Sequence, residues 1–330
     1  MKMQLNNSLN STTNEFRIDF FLMSLKILIV LMATLLNGIL VYVYLFCITK
    51  KTFSDSLFFS IAVADLTIGL VAMSSQALID SYISWPFGKV SCTFFVFIQY
   101  AVPDVTAYTL LALSIHRLMQ IFSPFKAREN LNLINFFKLF IPWLFTFALW
   151  AILIFFLIFN DQFDFVSCEI DASWYLIIYK EMFVNVLTIL LILATNIFLI
   201  YLLKAKKKFK TNGQSNRNKS IFYLDPSQSN QNHIKKKGQN FLAQNKEKKA
   251  TYCVMALMLS VLCTQISYVA IWPLYESHSV LSEWLDIFYR VSMWLSYCTC
   301  ITDPIIQLIF NNKIKIILKN KFLNGRPFHL

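Results

Sequence analysis

The sequence predicts an all-α membrane protein, a seven-helix transmembrane bundle followed by a short amphipathic C-terminal helix. Three observations carry that prediction. First, 57% of the 330 residues are hydrophobic and only 15% are charged. With a mean hydropathy of +0.54, the chain has too little polar surface for a soluble domain of this size. Second, the apolar residues fall in blocks long enough to cross a bilayer core of ~30 Å at ~1.5 Å per helical residue. Third, the basic residues cluster in alternate connections between those blocks, the pattern that bilayer orientation imposes.

Residues 1–19 form a polar N-terminal tail with Asn-x-Ser/Thr acceptors at Asn6 and Asn10. These are candidate glycosylation sites and point to an extracellular N-terminus. No short apolar segment with a cleavage site precedes the first block, so that block is expected to act as both signal and anchor. The seven spans run at about 20–47, 56–80, 90–122, 136–159, 173–203, 250–275 and 284–310, making residues 20–310 the membrane domain. Lys50 and Lys51 follow span one, Lys126 and Arg128 follow span three, and Lys204, Lys206, Lys207, Lys208 and Lys210 follow span five. Lys246, Lys248 and Lys249 precede span six, and Lys313, Lys315, Lys319 and Lys321 follow span seven. The opposite loops carry Asp80, Asp161, Asp164, Glu169, Asp171, Glu276, Glu283 and Asp286. The basic side is then cytoplasmic and the N-terminus outside.

Residues 204–249 are rich in Asn, Gln, Ser and Lys and cannot bury a core. They are expected to form a disordered cytoplasmic loop between two helical extensions. In residues 311–330, Ile314, Ile317, Leu318 and Phe322 can share one helical face with Lys on the other, the pattern of a helix lying on a membrane surface.

The net charge of +12 would suit nucleic acid, but the clustering of lysines in loops between apolar blocks fits a bilayer instead, and no nucleic-acid partner is expected. Four scattered histidines and the lack of a nucleophile–base set argue against an enzyme. Of seven cysteines, only Cys92 and Cys168 lie at predicted outer ends, and one external disulfide is the economical reading. Cys298 and Cys300 point to different helix faces and read as packing residues. Polar groups at membrane depth in span three, Gln99, Tyr100, Asp104, Thr106 and Thr109, should face other protein or a water-filled cavity.

Several short motifs add specificity when taken together in order. They are LNGILVY with Asn37, SIAVADLTIG with Asp65, and WPFGKVSC with Cys92. HRL at 116–118 follows, then IPWLFTFALW with Trp143 and Trp150, CEIDASWY with Cys168, KEKKATYC at 246–253, and WLSYCTCITDP at 294–304. Across roughly residues 20–323 the chain resembles the rhodopsin-like family of G-protein-coupled receptors, and within it the amine receptors of the muscarinic acetylcholine and histamine group.

That resemblance implies a plasma-membrane receptor that binds an extracellular small-molecule, amine-like ligand and acts on a heterotrimeric G protein. Tyr100, Tyr268, Tyr297 and Trp150 match the family's aromatic cage for a ligand ammonium. The cage's carboxylate is missing, because Gln99 stands in its place. Asp104 lies over a turn further along the helix, and Lys180 and Glu181 fall where ligand-facing polar groups are expected, with Glu181 competing with Asp104 for Lys180. A Lys180–Asp104 pair would leave little free negative charge, which suits a non-amine ligand as well. Arg117 and Glu247 match the ion pair that holds the inactive state. Asp65 matches the sodium-site carboxylate, with Thr106, Thr299 and Asp303 as neighbours. Asp303 and Pro304 stand for the usual Asn-Pro, so two acids would share a polar cavity and hold a cation or a proton between them. Gln265 and Ser267 replace the family's helix-six Trp and Pro, and Gln307 its helix-seven Tyr. These departures support a second reading, a receptor-fold decoy or dimer partner that does not signal. No cofactor other than a sodium ion is implied.

Overall fold

A computed structural model describes residues 2–49, 51–80, 85–122, 133–168, 170, 186–220, 230–277 and 283–323. Within these stretches, the side chains at 2–20, 121, 133–138, 203, 205–220, 230–248, 273, 276–277, 283 and 322–323 are outside the description. The structure is all-helical among the described residues, as predicted.

Helix α1 (Lys2–Tyr42) begins far upstream of the first apolar block and ends in a π-helical turn, Val43–Cys47. Span two starts at a capping box: the Thr52 hydroxyl accepts from the Asp55 amide while the Asp55 carboxylate accepts from the Thr52 amide at 2.9 Å. It comprises α2 (Phe53–Thr67), a π-helical segment at Ile68–Met73 and α3 (Ser74–Ile79). Gly69, in the π segment, meets α1 closely; a Cβ there would lie 3.0 Å from the Thr34 methyl. Span three is α4 (Gly88–Phe122), entered through a turn that needs Gly88 at φ +79°. Span four is α5 (Leu133–Phe159).

Of span five, α6 (Leu187–Ser220) is described from its middle onward. Span six is α7 (Asn230–Ser277), which runs unbroken past Gln265 and Ser267. The helices on either side of the long connection therefore reach well into it, to Ser220 and from Asn230. Span seven is split by a turn at Cys298 into α8 (Glu283–Tyr297) and α9 (Thr299–Phe310). Six of the described helices are long and apolar enough to cross a membrane, and the shorter apolar helix Leu187–Leu202 is the seventh candidate.

Leu40, Tyr44, Leu57, Leu110, Leu257 and Met258 form one core cluster near the ends that carry the lysines, the basic end. Ala33, Ala64, Val102, Trp294 and Tyr297 form a second, and Cys92, Trp150, Ile154, Phe163 and Cys168 a third at the opposite, disulfide end. The outward faces remain apolar, with Phe155 73% and Phe159 78% exposed. Such surface is stable only against lipid. The terminal helix α10 (Asn312–Leu318) packs Ile314 and Ile317 into the first cluster. Lys313 donates to Asp55 at 2.8 Å, tying α10 to the capping box of α2.

Candidate functional site

Helical periodicity aims one stripe of each span at a common interior. Gln99, Pro103, Thr106 and Ala107 come from α4, and Thr188, Ile189 and Ile192 from α6. Val261, Gln265, Tyr268 and Val269 come from α7; Met293, Ser296, Tyr297 and Cys300 come from the two halves of span seven. With Asp65, Ile68, Tyr100, Asp104 and Thr299 they enclose a partly open cavity of about 130 Å³. In the same measure one ordered water needs ~10–15 Å³, so the space takes a small ligand or a cluster of waters.

The structure brings most of the expected ligand-site residues together. Gln99, Tyr100, Asp104, Tyr268 and Tyr297 all line the cavity. Tyr100 stacks on Trp150 with centroids 4.9 Å apart. Trp150 is fully buried behind that wall, and its Nε1 donates to Asp104 Oδ2 at 2.9 Å. It therefore shapes the site by holding Tyr100 and Asp104 in place. Tyr268 leans on Trp272 and Tyr289, and Tyr297 meets Trp294 edge to face at 5.6 Å. Lys180 and Glu181 lie outside the described residues.

At the far end of the cavity Asp65 is 1% exposed. Its Oδ1 receives the Cys300 thiol at 3.8 Å, and its Oδ2 has no hydrogen-bond partner. Asp303, also fully buried, has neither carboxyl oxygen partnered. These acceptors fit a monovalent cation or a proton better than a packed core. Thr106 and Thr299 line the cavity with Asp65, as expected. Cys300 is more than the packing residue expected, since it faces both the cavity and Asp65. Pro304 has no N–H to give the Cys300 carbonyl one turn earlier. Asn37 takes that place, donating Nδ2 to the Cys300 carbonyl at 2.6 Å and so joining α1 to the break in span seven.

A second polar group lies toward the disulfide end. Asp80, which sequence reasoning placed among loop acids, has its side chain only 4% exposed. Its Oδ2 accepts from Lys26 at 2.6 Å and from Trp294 Nε1 at 3.0 Å, and its Oδ1 accepts from Gln76 at 3.0 Å. The clasp joins spans one, two and seven, and Trp294 passes its position on to Tyr297. One signal for it was present: Lys26 is the only charged residue from 20 to 47, and a charge within a span needs a partner.

The disulfide end is held by the Cys92–Cys168 bond, across a sequence separation of 76. Trp85 stacks on Phe95 at 5.4 Å and its amide donates to the Val166 carbonyl at 2.8 Å. In the same loop the Ser167 hydroxyl and the Val166 amide both donate to Asp164, and hold its carboxyl below the usual carboxylate range. At the basic end, Arg117 is 7% exposed and donates to Gln120 at 2.7 Å. His116 beside it is buried against the Phe53 ring. Glu247 lies in α7, and its side chain is outside the description, as are those of Asn6 and Asn10 in α1. No group of three or more His, Cys, Asp or Glu arranged for a metal occurs among the described residues.

Comparison with known proteins fits this architecture. Residues 36–306 match the model of the 7 transmembrane receptor (rhodopsin family). The chain is 26% identical over 274 residues to the thyrotropin-releasing hormone receptor of Bos taurus, covering 78% of this chain and 66% of that one. It is 29% identical over 103 residues to a muscarinic acetylcholine receptor of Xenopus laevis, covering 31% of this chain and 21% of that one. It is also 32% identical over 107 residues to the RYamide receptor of Tribolium castaneum, covering 32% and 29%. These relatives are spread over receptors with different ligands, so they single out no subgroup. The matched length, the spans and the disulfide agree: the chain belongs to the rhodopsin family of seven-transmembrane receptors.

Proposed function

We propose that this chain is a plasma-membrane receptor, with its N-terminus and disulfide end outside, that binds a small extracellular ligand and acts on a heterotrimeric G protein. The observation that carries the reading is the placement of two features on α4. Gln99, Tyr100 and Asp104 line an aromatic cavity, while Arg117, more than three turns along the same helix, is buried at the basic end. Occupancy of the cavity would move α4, α7 and span seven relative to one another and alter the packing around Arg117. A break of an Arg117–Glu247 pair is the expected consequence. A sodium ion or a proton at Asp65 and Asp303 would bias the same equilibrium.

The three tyrosines support an amine-like ligand. A non-amine or short-peptide ligand is the second reading, favoured by Trp150's hold on Asp104 and by relatives whose names point to thyrotropin-releasing hormone and RYamide. A decoy or dimer partner is the outcome if no coupling is found. Expression with a second-messenger readout, screened against small amines and short amidated peptides, tests the proposal. A saturable response lost in Tyr268→Ala supports it. Binding at the cavity with no response to any G protein would replace it with the decoy reading.

A further inference from the structure

The cavity is deeper than its tyrosines require. Gln99, Tyr100, Tyr268 and Tyr297 line the same continuous space as Asp65, Thr299 and Cys300. The connecting stretch is lined by Gln265, one helical turn from Tyr268 and one from Val261 on α7. Among the described residues, the lining of that stretch from α7 holds no aromatic ring between Val261 and Tyr268. At its end stands a carboxylate that is 1% exposed and has one oxygen without a partner. The hydroxyls around it are already committed as donors: Ser296 donates to the Met293 carbonyl at 2.7 Å and Thr299 donates to the Ser296 carbonyl. What the deep wall presents is therefore acceptor capacity, which selects a guest with N–H donors and positive charge. The acid nearer the tyrosines, Asp104, has its Oδ2 engaged by Trp150 Nε1.

We infer that Asp65 is the counter-charge of the ligand site. The ligand class it selects is an organic cation with a slender ammonium or amidinium end. Its apolar body rests among Tyr100, Tyr268 and Tyr297, and its charged end passes Gln265 to reach Asp65. This rests on the receptor reading above for the existence of a ligand. It adds where the charge is read, and it explains how the site works with a neutral Gln99.

Cys300 is a free thiol at the same wall, 3.8 Å from Asp65, and reports on access to it. The full-length protein, in detergent and sodium-free buffer, is exposed to cationic 2-aminoethyl methanethiosulfonate or to neutral methyl methanethiosulfonate. In each case the thiolate displaces methanesulfinate and forms a mixed disulfide. Labelling is followed residue by residue by peptide mass spectrometry, with exposed Cys263 as the reference. At Cys300 the cationic reagent is expected to be favoured roughly tenfold over its ratio at Cys263, the effect of one nearby opposite charge. Asp65→Asn should bring the preference to within about twofold. Gln265→Trp, which fills the connecting stretch and leaves Asp65 intact, should slow both reagents at Cys300 by roughly tenfold or more without altering Cys263. An undiminished cation preference in Asp65→Asn, or undiminished labelling in Gln265→Trp, overturns the inference. A chain that labels as expected but activates no G protein keeps the cation site and loses the signalling reading; one that signals but fails both labelling tests does the reverse.

Discussion

Two carboxylates on span two, Asp65 and Asp80, are both buried and meet opposite surroundings. Asp80 accepts from three donors on three different spans, and its charge is balanced by Lys26. Asp65 has one weak thiol donor and an oxygen with no partner. A satisfied buried charge cross-links helices, whereas an unsatisfied one costs stability and persists where something binds it. Under the proposed function, the contrast separates a part of the bundle that holds the helices together from a part that takes up a ligand or ion.

The largest way to break that comparison is Asp80→Ala, which leaves the Lys26 ammonium part-buried without its counter-ion. Thermal unfolding in detergent should show a loss of about 3 kcal/mol. Trp294→Phe keeps an aromatic ring beside Tyr297 but removes the indole donor and part of the ring volume. It should cost about 1.5 kcal/mol by the same assay, and weaken ligand binding through Tyr297. Asp65→Asn sharpens the contrast by its sign, because in sodium-free buffer it should leave stability unchanged or raise it by about 1 kcal/mol. A loss of similar size would show that Asp65 is a structural carboxylate like Asp80.

Two smaller tests probe the ends of the bundle. Lys313→Ala removes a half-exposed partner of Asp55 and should cost only about 0.5 kcal/mol, detected as faster hydrogen exchange in α10. Asp164 supplies a pH test. Its carboxyl titrates lower in the folded loop than in the unfolded chain, so the unfolded chain binds more protons in the window between the two values. The loop's added stability is complete above the unfolded value and is lost as pH falls through the folded one. The protection factor of the Val166 amide, its exchange rate taken relative to the intrinsic rate at each pH, should therefore fall on acidification below about pH 4, and Asp164→Asn should flatten that response.

Much of the architecture was legible because a bilayer imposes a simple rule on sequence. Apolar blocks of spanning length correspond to the six spanning helices and the shorter apolar helix Leu187–Leu202 among the described residues, and the lone pair of outer cysteines located the disulfide. The tyrosines that line the cavity were those the family resemblance implied, matched residue by residue. The Asp80 clasp was not legible. It requires Lys26, Gln76, Asp80 and Trp294, from three spans, to meet at one depth, and hydropathy fixes depth only to within a turn. Trp150 is placed in the cage by the resemblance, and the packing sets it one layer back, because Tyr100 stands in front of it. The π-helical segments at Val43–Cys47 and Ile68–Met73 left no composition signal, since a π turn changes the hydrogen-bond register without requiring a Pro or a new residue type.

The central claim is that occupancy of the cavity is felt at the basic end through α4. Linkage makes this measurable at equilibrium, because a G protein that responds to ligand must raise the ligand's affinity by the same factor. The decisive measurement is ligand affinity in reconstituted membranes, with and without nucleotide-free heterotrimeric G protein, for the parent chain and for Arg117→Ala. The account predicts a gain of roughly fivefold or more in the parent and none in Arg117→Ala, with the uncoupled affinities of the two alike. Equal affinity with and without G protein in the parent, or an undiminished gain in Arg117→Ala, would contradict it.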